Sequence, residues 1–347
     1  IELISRYLHE GGTTGSIEMT LKYGKEYLAI MLIGLIPFAI EQCYSSTLRE
    51  TVETVVPIKA GIVAVFVNLI LNGVLIFGLL GLPALGVKGA ALATIISRFI
   101  ECGIIVIWTH KNKDINVFIR SVYHKFKIPM VLVKQIIIKG TPLLANEFLW
   151  ASGIAILNQC YSVKGLAVVA GLNISSTITR LFNIVFIAIG SSIAIIVGQL
   201  LGAGKFEEAQ DTAYKIIFLS FITQVALGTI MFIIAPLLPS IYNTTDEAKE
   251  LASNFIRIAS IMLPIQALLH ATYFTIRSGG KTFITFLFDS AFIWCVSIPT
   301  AYVLTHGTML PVVLVFLLVQ LTDVIKVIIG FIMLKKGIWL SDIVSEF

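Results

Sequence analysis

The chain has 347 residues, of which 57% are hydrophobic and only 13% charged, about half the charge of an ordinary soluble domain. That balance excludes a water-soluble enzyme, and four cysteines that each stand alone in an apolar run exclude a disulfide framework or a zinc module. The formal charge of +5 is gathered in short segments beside apolar stretches, which is how membrane proteins place Lys and Arg and a poor footprint for nucleic acid.

A bilayer core of roughly 30 Å takes about 20 predominantly apolar residues per helix. By that ruler nine segments qualify, near residues 24–48, 55–79, 88–109, 131–160, 165–200, 212–241, 250–276, 282–304 and 310–334. The expected fold is all-α and polytopic, with about nine transmembrane helices. Turn-forming or charged stretches divide the segments, among them Gly81-Leu82-Pro83, Gly202-Ala203-Gly204-Lys205 and Asn243-Thr244-Thr245-Asp246. Residues 110–130 are the longest polar link, basic and interleaved with Phe118, Tyr123 and Phe126. Such a stretch suits an interfacial position on anionic lipid, and it divides the chain into residues 1–109 and 131–347. Alternate loops carry Lys and Arg unequally, the link and the C-terminus falling on the richer side, which makes that side cytoplasmic.

The sequence repeats internally. An offset of 228 places Tyr27 on Phe255, Ala39 on Ala267, Leu48 on Ile276 and Arg49 on Arg277, while an offset of 225 places Ser97 on Thr322, Arg98 on Asp323 and Glu101 on Lys326. The first predicted helix thus repeats as the seventh and the third as the ninth. An even separation gives both copies the same direction, so the architecture expected is two six-helix bundles related by a parallel pseudo-two-fold axis. The second bundle is complete in 131–334 and the first keeps its last three helices, so the chain reads as an N-terminally incomplete piece of a twelve-helix protein.

Ionisable groups inside apolar helices cost at least ~2.5–3.5 kcal/mol, so each asks for a partner, a watery cavity or a function. Glu147 lies eight residues past Lys139, hence about 12 Å into its helix. Asn146 adjoins it, and Trp150, Ile154 and Asn158 continue its face. With no Lys or Arg three or four residues away, Glu147 reads as a cavity carboxylate for a proton, Na⁺ or a cationic substrate, against a structural, hydrogen-bonded alternative. Asp289 and the Glu41-Gln42 pair sit at similar depth and read either as cavity groups or as interhelical hydrogen-bond partners. Arg98 with Glu101 and Asp323 with Lys326 are spaced to neutralise each other within one helix. Arg180 reads equally as a counterion for Glu147 or Asp289 and as a site for an anionic group. His270 reads first as a satisfied core residue, although it would titrate near neutrality unassisted. No Gly-x4-Gly-Lys-Ser/Thr loop is present, so nucleotide is not an expected partner. The histidines offer neither His-x3-His nor Glu-x2-His, so an intramembrane metalloenzyme is not expected either.

The most distinctive stretch runs Val197-Gly-Gln-Leu-Leu-Gly202-Ala-Gly204-Lys-Phe-Glu207-Glu208-Ala209. It is joined by Pro142-x3-Asn146-Glu147-x2-Trp150, by Ala170-Gly171-Leu172-Asn173-Ile174, by Leu48-Arg49 and Ile276-Arg277, and by Leu82-Pro-Ala-Leu-Gly-Val-Lys88-Gly-Ala-Ala91. On these motifs the whole chain resembles the multidrug and toxic compound extrusion (MATE) transporters, in the register of their helices four to twelve. The resemblance implies two six-helix lobes around a central cavity, rocking between inward- and outward-open states. It implies export of small cationic or amphipathic organic molecules in exchange for H⁺ or Na⁺, with no cofactor beyond that ion. The resemblance points to an acidic residue of the seventh helix, which Glu147 matches approximately; together with the residues weighed above, the candidate site is Glu147, Asn146, Trp150, Asn173, Arg180, His270, Asp289, Glu41 and Gln42, with Glu147 as the place for Na⁺. The tenth-helix acid of Na⁺-coupled members falls near Gln266 here, a departure from the family pattern. A lipid-linked oligosaccharide flippase of the same superfold is the alternative, and it would show clustered cavity arginines where only Arg180 and Arg257 are available.

Overall fold

A computed structural model describes residues 17–120 and 129–340, and every regular element among them is helical. Tyr123, Lys125, Phe126 and Lys127 of the basic link lie outside the described residues, as does the N-terminal Arg6. Two compact units result, residues 1–128 and 129–347.

In the first unit α1 (Ile17–Ile33) and α2 (Leu35–Glu50) make one bent pair. A single helix is expected there, yet the two parts meet at 42°. Pro37 supplies the reason, because it has no N–H to return to Ile33 and its ring crowds that carbonyl. α3 (Val55–Phe77) and α4 (Val87–Lys111) follow. The turn between them uses Gly78 at φ +71°, where an added Cβ would lie 2.7 Å from the carbonyl oxygen of Leu82. Leu48, Ala60 and Ile105 form the small core of this unit.

The second unit contains α5 (Met130–Ser162), α6 (Leu166–Gly202), α7 (Phe206–Ile234) and α8 (Asp246–Ser278). Next come α9 (Thr282–Phe286), two π-helical turns (Leu287–Ala291 and Ile293–Ser297), α10 (Ile298–Gly307) and α11 (Val312–Lys335). α8 begins cleanly: the Thr245 hydroxyl accepts the Ala248 N–H at 3.3 Å, and Asp246 and Glu247 face its N-terminal dipole. More than half of its apolar stretch is buried, because α6, α7 and α11 all pack on it. Small residues permit this closeness. A Cβ on Gly228 of α7 would come 2.6 Å from the Ser260 carbonyl oxygen, and one on Gly330 of α11 would come 2.8 Å from the Thr272 methyl. The opposite faces of these helices present Leu, Ile, Val and Phe outward, as a lipid-facing surface requires.

Seven described helices are long and apolar enough to cross a membrane, or eight with the bent pair counted as one. The expected nine is not reached because Asn146, Glu147, Asn158 and Gln159 dilute the apolar character of α5, whose length of 33 residues is ample. After α6, Gly204 takes φ +71° but Gly202 stays helical, so one of the two glycines, not both, makes the turn. Glu207 and Glu208 occupy the first turn of α7, Glu208 within 3.0 Å of Lys205. At the same end of the bundle Gly279 lies against the backbone of Trp339, whose indole is buried and donates to the Leu334 carbonyl at 3.3 Å.

Candidate functional site

A cavity of about 750 Å³ opens within the C-terminal unit. Helical periodicity explains its walls. α5 contributes Glu147, Trp150 and Ile154 from one face, and α8 contributes Gln266, His270, Tyr273 and Arg277 at spacings of four, three and four. Arg180 comes from α6, Asp289 from the π-helical turn, and Asp323 with Lys326 from α11. Three carboxylates and three basic side chains, Arg180, Arg277 and Lys326, therefore face one space.

At its edge lies a hydrogen-bonded polar cluster. Lys326 Nζ stands 3.1 Å from Asp289 Oδ1, the lysine side chain being 8% exposed and the aspartate 22%. Asn146, almost fully buried, donates from Nδ2 to the Tyr273 hydroxyl at 3.3 Å and reaches Asp289 Oδ2 at 3.5 Å. Ser290 donates to the Asn146 side-chain oxygen at 2.6 Å and to its carbonyl at 2.8 Å. Gln266 donates to Asp323 Oδ2 at 2.7 Å. The π-helical turn lets consecutive residues serve two partners, Asp289 on α11 and Ser290 on α5, and such insertions recur at functional sites.

The ionic partners differ from those expected from spacing alone. Asp323 and Lys326 do not pair with each other, because tertiary structure brings Asp289 to the ammonium and Gln266 to the carboxylate. Arg98 and Glu101 do pair, at 3.9 Å. Arg180 and Glu147 both reach the cavity, and among the described residues neither forms an ion pair, so Arg180 is not the counterion of Asp289. Trp150 lines the cavity, whereas Asn173 is exposed on α6 and is not part of the lining. His270 bonds through Nδ1 to the Gln266 carbonyl at 3.0 Å and lies 4.5 Å from the Phe186 ring, centroid to centroid, which is the satisfied arrangement. Glu41 and Gln42 belong to the N-terminal unit, Glu41 buried and bonded to Gln42 Nε2 at 2.9 Å. Ser290 is a site residue that the sequence reading missed, and Asp323 and Lys326 were read only as a pair neutralising itself within one helix. For Lys326 the signal was available, since a lysine deep in an apolar helix needs a carboxylate and two were in range.

The MatE family model matches residues 142–303 and the model for the lipid II flippase MurJ matches residues 7–161. The "Probable multidrug resistance protein NorM" of Thermotoga maritima is 27% identical over 84% of this chain and 61% of its own length. The "Probable multidrug resistance protein YoeA" of Bacillus subtilis is 23% identical over 86% of this chain and 64% of its own. The chain thus spans a little over three fifths of these relatives. Among solved structures, an outward-facing MATE transporter of the MOP superfamily superposes with a TM-score of 0.81 at 18% identity, over 90% of this chain and 69% of that one. A Pyrococcus furiosus transporter of the same superfamily, described as having a binding pocket of reversed polarity, gives 0.82 at 18%, over 97% and 73%. The solved structures share the fold, and the family model over residues 142–303 and the relatives' transporter names show that this multi-pass membrane protein is similar to the multidrug and toxic compound extrusion transporters.

Proposed function

We infer that the protein is a secondary antiporter that exports small cationic or amphipathic organic molecules in exchange for a coupling ion, H⁺ or Na⁺. The observation that carries this reading is the cavity inside the C-terminal unit, roomy enough for a drug-sized molecule, with Glu147 exposed in its wall and free of any ion pair among the described residues. A carboxylate in that setting binds the coupling ion, whether proton or Na⁺, and yields it to an entering cation. Binding of the two is then mutually exclusive, which is the requirement for exchange. No phosphate-binding loop is present to couple transport to nucleotide, so the ion gradient supplies the driving force. The distribution of Lys and Arg supports a cytoplasmic basic link and C-terminus. Ethidium efflux from loaded vesicles carrying the full-length protein, driven by an imposed H⁺ or Na⁺ gradient, tests the reading. Failure of every cationic dye to leave in a gradient-dependent way would refute it.

The match of residues 7–161 to the MurJ model favours a second reading, a flippase for lipid-linked oligosaccharides. Its substrate's pyrophosphate would need cavity cations, and with Lys326 neutralised by Asp289 the cavity offers Arg180 and Arg277. Translocation of a lipid-linked substrate without dye efflux would select it.

A further inference from the structure

The ammonium of Lys326 is held in surroundings that would suit any organic ammonium. One carboxylate oxygen of Asp289 lies 3.1 Å away, and the rings of Phe288 and Phe292 lie 5.7 and 5.6 Å from Nζ. A carboxylate with two aromatic faces is a recurrent way to bind a desolvated ammonium group. All three residues of this cage stand on the π-helical turn and the residue after it, whereas the amine arrives from α11 on a flexible four-carbon stem. The cage is not sealed: Phe288, Asp289 and Lys326 all line the cavity. A second acceptor stands three residues back on the same helix face, Asp323, held by Gln266 at 2.7 Å. The stem can carry the amine from one carboxylate to the other.

We propose that Lys326 is a tethered occupant of an ammonium-binding subsite formed by Asp289, Phe288 and Phe292. A substrate's charged nitrogen competes with it there, and Lys326 moves to Asp323 when displaced. This rests on the reading of the cavity as the substrate site and names where the charged end of the substrate sits.

Tetramethylammonium, small enough for the cage, is the probe. Calorimetric titration of the full-length protein in detergent should show Lys326→Met binding it at least about tenfold more tightly than wild type, because the competing occupant is gone. Lys326→Arg should stay as weak as wild type, and adding Asp289→Asn to Lys326→Met should abolish the gain. A Lys326→Met protein that binds no tighter, or a gain that survives Asp289→Asn, overturns the proposal. Should Lys326→Met not fold, the wild-type protein supplies the decision. Amine-reactive labelling of Lys326, read by peptide mass spectrometry, should rise several-fold as tetramethylammonium is raised to saturation, and unchanged labelling overturns the proposal. Both assays read binding without transport. A protein that fails them and still expels ethidium loses only the subsite, and one that passes them without efflux loses only the antiporter reading.

Discussion

Replacing Glu147 by Gln separates transport from stability more sharply than any other single change in the cavity. The side chain is exposed, lines the cavity and has no ion pair among the described residues, so an isosteric amide removes a charge and no contact. Stability should move by no more than about 0.5 kcal/mol, which for a unit of this size is roughly a 2 °C shift in Tm. The effect on a bound cation is larger. A carboxylate and an ammonium 4 Å apart attract by about 1 kcal/mol in bulk water and about 4 kcal/mol at the effective dielectric of a protein surface. A water-filled cavity lies nearer the first figure, so cationic dye should bind roughly tenfold more weakly. Gradient-driven efflux should fall to the leak rate, because the exchanged proton or Na⁺ has lost its place. Dye binding, thermal unfolding in detergent and vesicle efflux on the same preparation check all three. An Glu147→Gln protein that exports at the wild-type rate, or one whose Tm falls by more than about 5 °C, would show that the carboxylate is structural and that the argument from its exposure is wrong.

The next residue in sequence should behave in the opposite way. Asn146→Leu strips Tyr273 and Asp289 of a buried donor and should destabilise the protein by about 1–3 kcal/mol, measured as a lower Tm. Lys326→Met should cost about 3–5 kcal/mol, because it leaves the Asp289 carboxylate without its cation; Asp289→Asn should cost less, because Asp323 is within reach of the Lys326 stem, and the double replacement should cost clearly less than the sum of the two. Additive losses in that cycle would mean the pair is not coupled. Gln224 of α7 is fully buried, and among the described residues neither of its side-chain polar atoms has a hydrogen-bond partner. Gln224→Met should therefore raise stability by about 1–3 kcal/mol, and a lower Tm would contradict that accounting.

Helix positions were legible because a spanning helix advertises itself through some twenty apolar residues, and Glu147 with Trp150 was legible because helical spacing places them on one face. What escaped was tertiary. Asp323 and Lys326 obey the local rule for pairing, yet Lys326 is claimed by Asp289, 37 residues earlier in the chain, on a π-helical turn that no periodicity announces. The bend at Pro37 was written in the sequence and went unread. The internal repeat explains the sign change between the copies. The offsets of 228 and 225 map Gly61 with Glu101 onto Asp289 with Lys326, and Phe38 with Arg98 onto Gln266 with Asp323. Each pair meets within its own unit: a Cβ on Gly61 would lie 3.5 Å from Glu101, and the Arg98 guanidinium lies 4.6 Å from the Phe38 ring. Glu101 faces a glycine and so turns to Arg98, while Lys326 faces an aspartate and leaves Asp323 to Gln266. The same two-site contact carries different chemistry because one partner in each pair has changed.

The contact between Gly279 and Trp339 bears on how the protein can be handled. Backbone meets backbone there, so no change of rotamer would make room for a larger residue at 279. The chain turns into this position at Gly337, φ +64°, and seats the indole among Ile193, Leu201, Ile276 and Leu334. The last described turn thus stoppers one end of the bundle. A fluorescent reporter or affinity tag fused after Phe347 leaves that stopper in place, whereas a boundary drawn at the end of α11, where the apolar stretch stops, removes it and opens the bundle to detergent.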